Sequence, residues 1–262
     1  MRNSIEFKVW GRYALFTDPL TGIGGENCTY HIPTYEALKG VAKSIYWKPT
    51  IIWVVDAVRV MKPIRTQTKG AKPMNYNGIY PSYRDLSKKK EEPINTLSYY
   101  TYLADVEYKV HAHFVLNKHR PELKEDWNEG KHYNIAQRML QRGGRQDIFL
   151  GTRECQGYVE PCTFDDEDDK GHYANSGEVG YGLTFHGFDY PDETGVDELH
   201  KRFWNPRMKD GLIEFPPPER FANPGHGERL LRQFVRPMKP KNFKVGDNME
   251  GVATTETEWN KP

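Results

Sequence analysis

TYLADVEYKVHAHFVLN, residues 101–117, is the stretch that decides the architecture. Tyr102, Ala104, Val106, Tyr108, Val110, Ala112, Phe114 and Leu116 share one face of an extended chain, and Asp105, Glu107, Lys109, His111, His113 and Asn117 share the other. A repeat of two is that of a strand whose faces meet different surroundings. The apolar face needs a covering layer. The other face carries two imidazoles, an ammonium and carboxylates. The strand then runs into Lys118, His119, Arg120 and Pro121, and proline ends it.

Upstream, TIIWVVDAVRVMK (50–62) is β-branched and largely apolar, the composition of a strand buried in a sheet. Residues 4–16 alternate again, with Ile5, Phe7, Val9, Tyr13 and Leu15 on one side and Lys8, Trp10, Arg12 and Phe16 on the other. Between these strands Pro33 and Thr34 open a helix, Thr34 being the expected N-cap and Leu38, Val41, Ala42 and Ile45 its apolar stripe. Pro49 follows its end, which puts Tyr46 at the helix C-terminus. Residues 63–98, rich in Lys, Pro, Gly and Tyr and containing Lys88-Lys89-Lys90, form a basic insertion read as a hairpin or a solvated loop.

Downstream, KHYNIAQRMLQR (131–142) predicts a helix with Ile135, Ala136, Met139 and Leu140 inward and Lys131, Arg138 and Arg142 outward. Gly143-Gly144-Arg145 stops it, and a further strand lies within 148–164. The order strand, helix, strand, strand, helix, strand is the split βαβ, or ferredoxin-like, arrangement of an α+β fold. Helices on one sheet face leave the other free, as in RRM-like domains that show a sheet to RNA. The predicted organisation is such a domain over 1–164, a small β-rich domain over 165–240 built from strands near 179–190, 198–204 and 211–215, and a polar tail over 241–262.

The net charge of +1 hides a division. Residues 1–150 carry 23 Lys and Arg against 15 Asp and Glu, whereas residues 151–262 carry 14 against 21. A basic half fits a polyanion partner, although uneven surface charge alone gives the same count. No apolar run approaches the ~20 residues that cross a bilayer, and the N-terminus enters a strand directly. A cytoplasmic protein is therefore expected. Cys28, Cys155 and Cys162 make neither a disulfide framework nor a CxxC zinc pair. His111 and His113 lack a third ligand, and the run Asp165–Asp169 reads as a solvated loop. Gly143-Gly144-Arg145 matches no phosphate-binding loop. Neither a metal nor a cofactor is expected.

Three side chains remain that could act on RNA, which brings its own nucleophile in the 2′-hydroxyl. His119 could move protons near neutral pH. Lys118 could offset charge developing on the phosphate. Tyr46 could orient the 2′-hydroxyl if the helix end and the strand end meet. On pattern alone, a Lys-His-Arg-Pro stretch at a strand end is more often an exposed turn, and Tyr46 beside Ile45 more often a packing residue.

The segments DPLTGIGGE, PTYEALKGVAKSIYWKPT, RVMKPI, NEGKHY, GGRQDIFLGTRECQGYVEPC and HGFDYPDE resemble the fifth CRISPR-associated protein family in its type I-C, or Dvulg, form, within the RNA-binding RAMP superfamily. The likeness runs from about residue 3 to about residue 215. It implies an RRM-like domain, a basic insertion and a β-rich C-terminal part. It also implies an endoribonuclease that cuts precursor CRISPR RNA within the repeat without metal, leaves a 2′,3′-cyclic phosphate, and stays on the 5′ handle beside the other type I-C Cascade subunits. The family's catalytic tyrosine matches Tyr46 in SIYWKP, and its adjacent lysine and histidine match Lys118 and His119 in NKHRP. RNA contacts are expected from Lys8, Trp10, Arg12, Lys109, His111, His113, Arg138, Arg142 and Arg145, whose rings stack bases and whose cations hold phosphates. The alternatives are a handle-binding subunit that does not cut, and a subunit that binds duplex DNA through the insertion.

Overall fold

The computed structural model describes residues 3–18, 26–72 and 97–240. In chain order its elements are β1 (Ser4–Ala14), β2 (Asn27–Cys28), α1 (Tyr35–Ile45), β3 (Ile51–Val60), β4 (Thr66–Ala71), β5 (Ser98–Leu116), α2 (Glu129–Gln141), β6 (Ile148–Phe149), β7 (Gln156–Pro161), β8 (Glu178–Gly180), β9 (Thr184–Asp189), β10 (Glu198–Trp204), β11 (Arg207–Lys209), β12 (Leu212–Glu214) and β13 (Leu231–Pro237). The architecture is mixed α+β and dominated by antiparallel sheet. Among the described residues no helix is long and apolar enough to cross a membrane.

The quoted stretch is the spine of the molecule. β5 spans 19 residues. It pairs antiparallel with β1, Phe7 opposite Val110, and with β3, Trp53 opposite Phe114. The larger sheet runs β6–β7–β1–β5–β3–β12–β11–β8, and β2 and β4 add to the N-terminal extension of β5. Alternation does what the sequence predicts. Ile5, Phe7 and Val9 of β1 and Val110, Ala112 and Phe114 of β5 are all buried, and α1 and α2 cover that side with Leu38, Val41, Ile45, Ala136 and Leu140.

Both ends of α1 are closed by identifiable groups. The Thr34 hydroxyl accepts from the Ala37 N–H at 3.2 Å, a standard N-cap. At the other end Arg145 donates its N–H to the carbonyls of Ser44 (3.1 Å) and Ile45 (3.2 Å), and Gln146 donates to Ser44 (3.0 Å). The glycine-rich stop after α2 therefore also satisfies carbonyls that the end of α1 would otherwise leave unpaired.

Three features add to or depart from the sequence reading. β4 pairs with the start of β5, Thr66 opposite Leu103 through Ala71 opposite Ser98, so the expected insertion leaves the sheet as an antiparallel pair. Residues 73–96, including Lys88–Lys90, lie outside the described residues, as do the tail over 241–262 and most of DPLTGIGGE. Secondly, β12 pairs with β3, Ile213 opposite Val58, so the C-terminal part extends the first sheet rather than standing apart from it. Among the described residues, β9, β10 and β13 form a separate three-stranded sheet.

The third departure is a correction. The second face of the large sheet is not open along its length. Glu6 of β1 accepts the Phe164 N–H at 2.8 Å. Lys109 of β5 is 3% exposed, salt-bridged to the Asp169 carboxylate at 2.9 Å and donating to its carbonyl at 3.1 Å. The acidic run, whose other members stay largely solvated, thus anchors on the cation of that face, as opposite charges on neighbouring segments should.

Candidate active site

The strand end and the helix end that carry the three candidate residues are joined through one asparagine. Asn117, 3% exposed, donates its backbone N–H to the Thr50 carbonyl at 2.8 Å and its side-chain amide to the Pro49 carbonyl at 3.3 Å. Its side-chain oxygen accepts the His119 N–H at 3.2 Å. The turn after α1 is therefore fixed to the turn after β5. Lys118 and His119 stand exposed on the latter.

Tyr46 lies on the same stitched region but points inward. It is 2% exposed, and its phenol oxygen is 2.8 Å from Nδ1 of His132, on the buried face of α2. The other ring nitrogen, Nε2, is 2.8 Å from the Asp126 carbonyl oxygen. A carbonyl can only accept, so Nε2 carries the hydrogen, Nδ1 carries the lone pair, and the phenol donates. Burial supports this neutral imidazole by holding the His132 pKa below its ordinary value, and the same burial raises that of Tyr46. Asp126 accepts from Thr50 Oγ1 at 2.8 Å, is paired with Lys131, and lies 3.5 Å from the Lys48 ammonium. The tyrosine thus ends a buried chain from α1 through α2 to the 3₁₀ turn Pro121–Asp126. His132 shares the spacing of Ala136 and Leu140, and that periodicity is the signal that would have placed it inward.

The nine residues expected to touch RNA fall into separate groups. Arg142 and Arg145 line a depression of about 570 Å³ together with Gly143, Gln156 and Tyr158. Tyr158 is 54% exposed and packs 6.0 Å from the Trp10 ring. Lys8 sits 5.3 Å over that Trp10 ring and bonds Glu160 at 2.6 Å. Arg12 is exposed on the same strand, and Arg138 is exposed on α2. Tyr158 and Lys69, whose ammonium lies 3.2 Å from the Tyr13 ring centre, join this basic and aromatic border without having been singled out in the sequence.

His111 and His113 lie elsewhere, in a cavity of about 960 Å³. Both approach one carboxylate oxygen of Asp56, His113 Nδ1 at 2.8 Å and His111 Nδ1 at 3.3 Å. The hydrogen bond to Asp56 raises the His113 pKa against the opposing effect of burial. Glu6, Asp165, Glu214, Glu219 and Glu228 also line this cavity, against Arg220 and Arg229, so carboxylates outnumber cations on its walls. Lys109, buried against Asp169, is committed to protein.

A family profile described as CRISPR-associated protein (Cas_Cas5) matches residues 4–216. A protein of Mannheimia succiniciproducens named CRISPR pre-crRNA endoribonuclease Cas5d is 27% identical over 235 residues, covering 83% of this chain and 96% of that protein. One of the same name from Thermus thermophilus is 26% identical over 233 residues, covering 81% and 91%. Among solved structures, a functionally uncharacterized protein from Streptococcus mutans is 33% identical with a TM-score of 0.62, covering 82% of this chain and 92% of that one. Another, described as a CRISPR-associated protein, is 32% identical at the same TM-score, covering 81% and 91%.

Proposed function

This chain belongs to the Cas5d family of CRISPR-associated proteins, and from that premise we propose that it cuts precursor CRISPR RNA within the repeat and remains on the 5′ handle as a Cascade subunit. The order β7–β1–β5–β3, with every neighbour antiparallel and helices between β1 and β3 and between β5 and β7, supports a ferredoxin-like, RRM-like core for that task.

The observation that carries the proposal is the exposed Lys118–His119 pair on a turn tied to the end of α1. The chemistry is metal-independent attack by the RNA's own 2′-oxygen on the neighbouring phosphorus. The P–O5′ bond breaks, a 2′,3′-cyclic phosphate forms, and one proton leaves O2′ while another reaches O5′. His119 serves one of these transfers and Lys118 offsets charge on the phosphoryl oxygens. Tyr46, its proton given to His132 in a hydrogen bond, acts as a positioning residue that holds the helix end against α2. Arg142, Arg145, Tyr158 and Trp10 offer phosphate and base contacts beside that helix end.

The test is single-turnover cleavage of cognate repeat RNA in EDTA. His119→Ala should cut about 10²–10⁴-fold more slowly while binding the RNA as tightly as the unmodified protein. Unchanged cutting by this variant, or a wild-type rate that requires magnesium, would sink the proposal. The burial of the Tyr46 phenol favours a second reading, a handle-capping subunit that binds without cutting. Retarded RNA with no product after long incubation would point to it.

A further inference from the structure

The turn that carries His119 is held from both sides by a segment far along the chain. Asn117 orients the His119 backbone through its side-chain oxygen, and the same side chain donates to the Asp192 carbonyl at 2.7 Å. On the other side Arg120, 6% exposed, forms an ion pair with the Asp192 carboxylate. Asp192 belongs to a short helical turn, Pro191–Thr194, that ends at Gly195 with φ 71°. Gly195 touches the imidazole directly. A Cβ at that position would lie 2.6 Å from His119 Nδ1 and 3.1 Å from its Cγ, so only a glycine lets the ring lie where it does.

The segment is itself anchored on the helix that precedes Tyr46. Glu193 pairs with Lys39 and bonds Lys43 at 3.0 Å, both on α1. Burial alone would raise the Glu193 pKa, yet the two ammonium groups outweigh it and hold the carboxyl at about 2. The string HGFDYPDETG (186–195) therefore spans α1 and the turn after β5.

We propose that Asp192 and Gly195, with Asn117, are positioning residues that fix the His119 imidazole for proton transfer, an inference that rests on the nuclease reading above. An exposed histidine on a free turn samples many rotamers, and a displacement of about 1 Å can cost on the order of 100-fold in rate. Backing the ring with a glycine and clamping Asn117 and Arg120, which flank the turn, removes that freedom.

The experiment is a double-mutant cycle on the full chain with repeat RNA in EDTA. Gly195→Ala should slow single-turnover cleavage about 10–100-fold and leave the RNA dissociation constant within about two-fold. In the His119→Ala background it should slow nothing further, because it acts through that ring. Asp192→Asn run through the same cycle gives a second route if Gly195→Ala does not fold, and it should show the same dependence on His119. Equal slowing in both backgrounds overturns the inference, as does a wild-type rate for both variants. If His119→Ala alone cuts at the wild-type rate, the nuclease reading itself falls.

Discussion

Tyr46 is placed by a single donor–acceptor assignment. Because His132 Nε2 must donate to the Asp126 carbonyl, Nδ1 is left as an acceptor that the phenol satisfies. Tyr46→Phe keeps the ring and deletes that partner, leaving a buried lone pair unmatched. Urea unfolding should show a loss of about 1–3 kcal/mol. Cleavage by folded Tyr46→Phe should stay within a few-fold of wild type, whereas a large loss of rate at unchanged stability would show that the phenol works on RNA directly. At this scale the sequence was informative in proportion to exposure. Lys118 and His119 follow a strand that visibly ends, so their place at a rim was legible. The spacing of His132 with Ala136 and Leu140 marks it as inward, but its role stayed hidden because its partner lies 86 residues away. Asp192 and Gly195 were equally hidden, since nothing near residue 119 indicates what lies against it.

Among the elements, the long alternating strand and both helices emerged within a few residues of their sequence reading, because each buries one face and exposes the other. β13 gave no such signal. All seven of its residues are exposed, so no apolar period marks it. The polar insertion that holds β4 reads as a hairpin or a solvated loop, because it carries no apolar period to choose between them. The face of β5 that looked free illustrates a different limit: alternation shows that a face is polar but not whether an acidic segment from elsewhere will settle on it. The buried histidines of these elements also set a pH dependence. His132 on α2 and His186 on β9, the latter packed among Tyr35, Trp204 and Phe221, are both held below the ordinary imidazole value chiefly by burial. The unfolded chain takes up protons near pH 6.5 that the folded chain refuses. Their contribution is therefore complete above about pH 6.5 and is lost as pH falls below it. His113, raised by Asp56, works in the opposite sense, stabilising below about pH 6.5 and losing its effect as pH rises through its folded value. Unfolding free energy should fall between about pH 7 and pH 5, and His186→Phe should flatten that fall. An unaltered slope in His186→Phe would contradict the assignment.

Over the whole molecule, the division of charge seen in the sequence is partly neutralised within the fold. Lys109 is covered by Asp169 and Lys8 is paired with Glu160, whereas Arg12, Arg138 and Arg142 remain exposed. The C-terminal half is also less separate than its composition suggests, since β8, β11 and β12 extend the first sheet and the 190–195 segment reaches back to β5 and α1. A boundary read from the order of local elements misses this, because backbone pairing between segments as distant as β3 and β12 leaves no local trace. The basic face, the exposed Lys118–His119 turn and the clamp around it converge on one chemical claim, that the substrate supplies its own nucleophile. The most direct measurement takes cognate repeat RNA, maps the cut made by purified protein in EDTA, and replaces the ribose 5′ of that cut by a single 2′-deoxyribose. Cutting should stop at the modified position while binding persists, and the all-ribose product should carry a 2′,3′-cyclic phosphate opposite a 5′-hydroxyl. Cleavage of the deoxy-substituted RNA at the same bond would contradict the account.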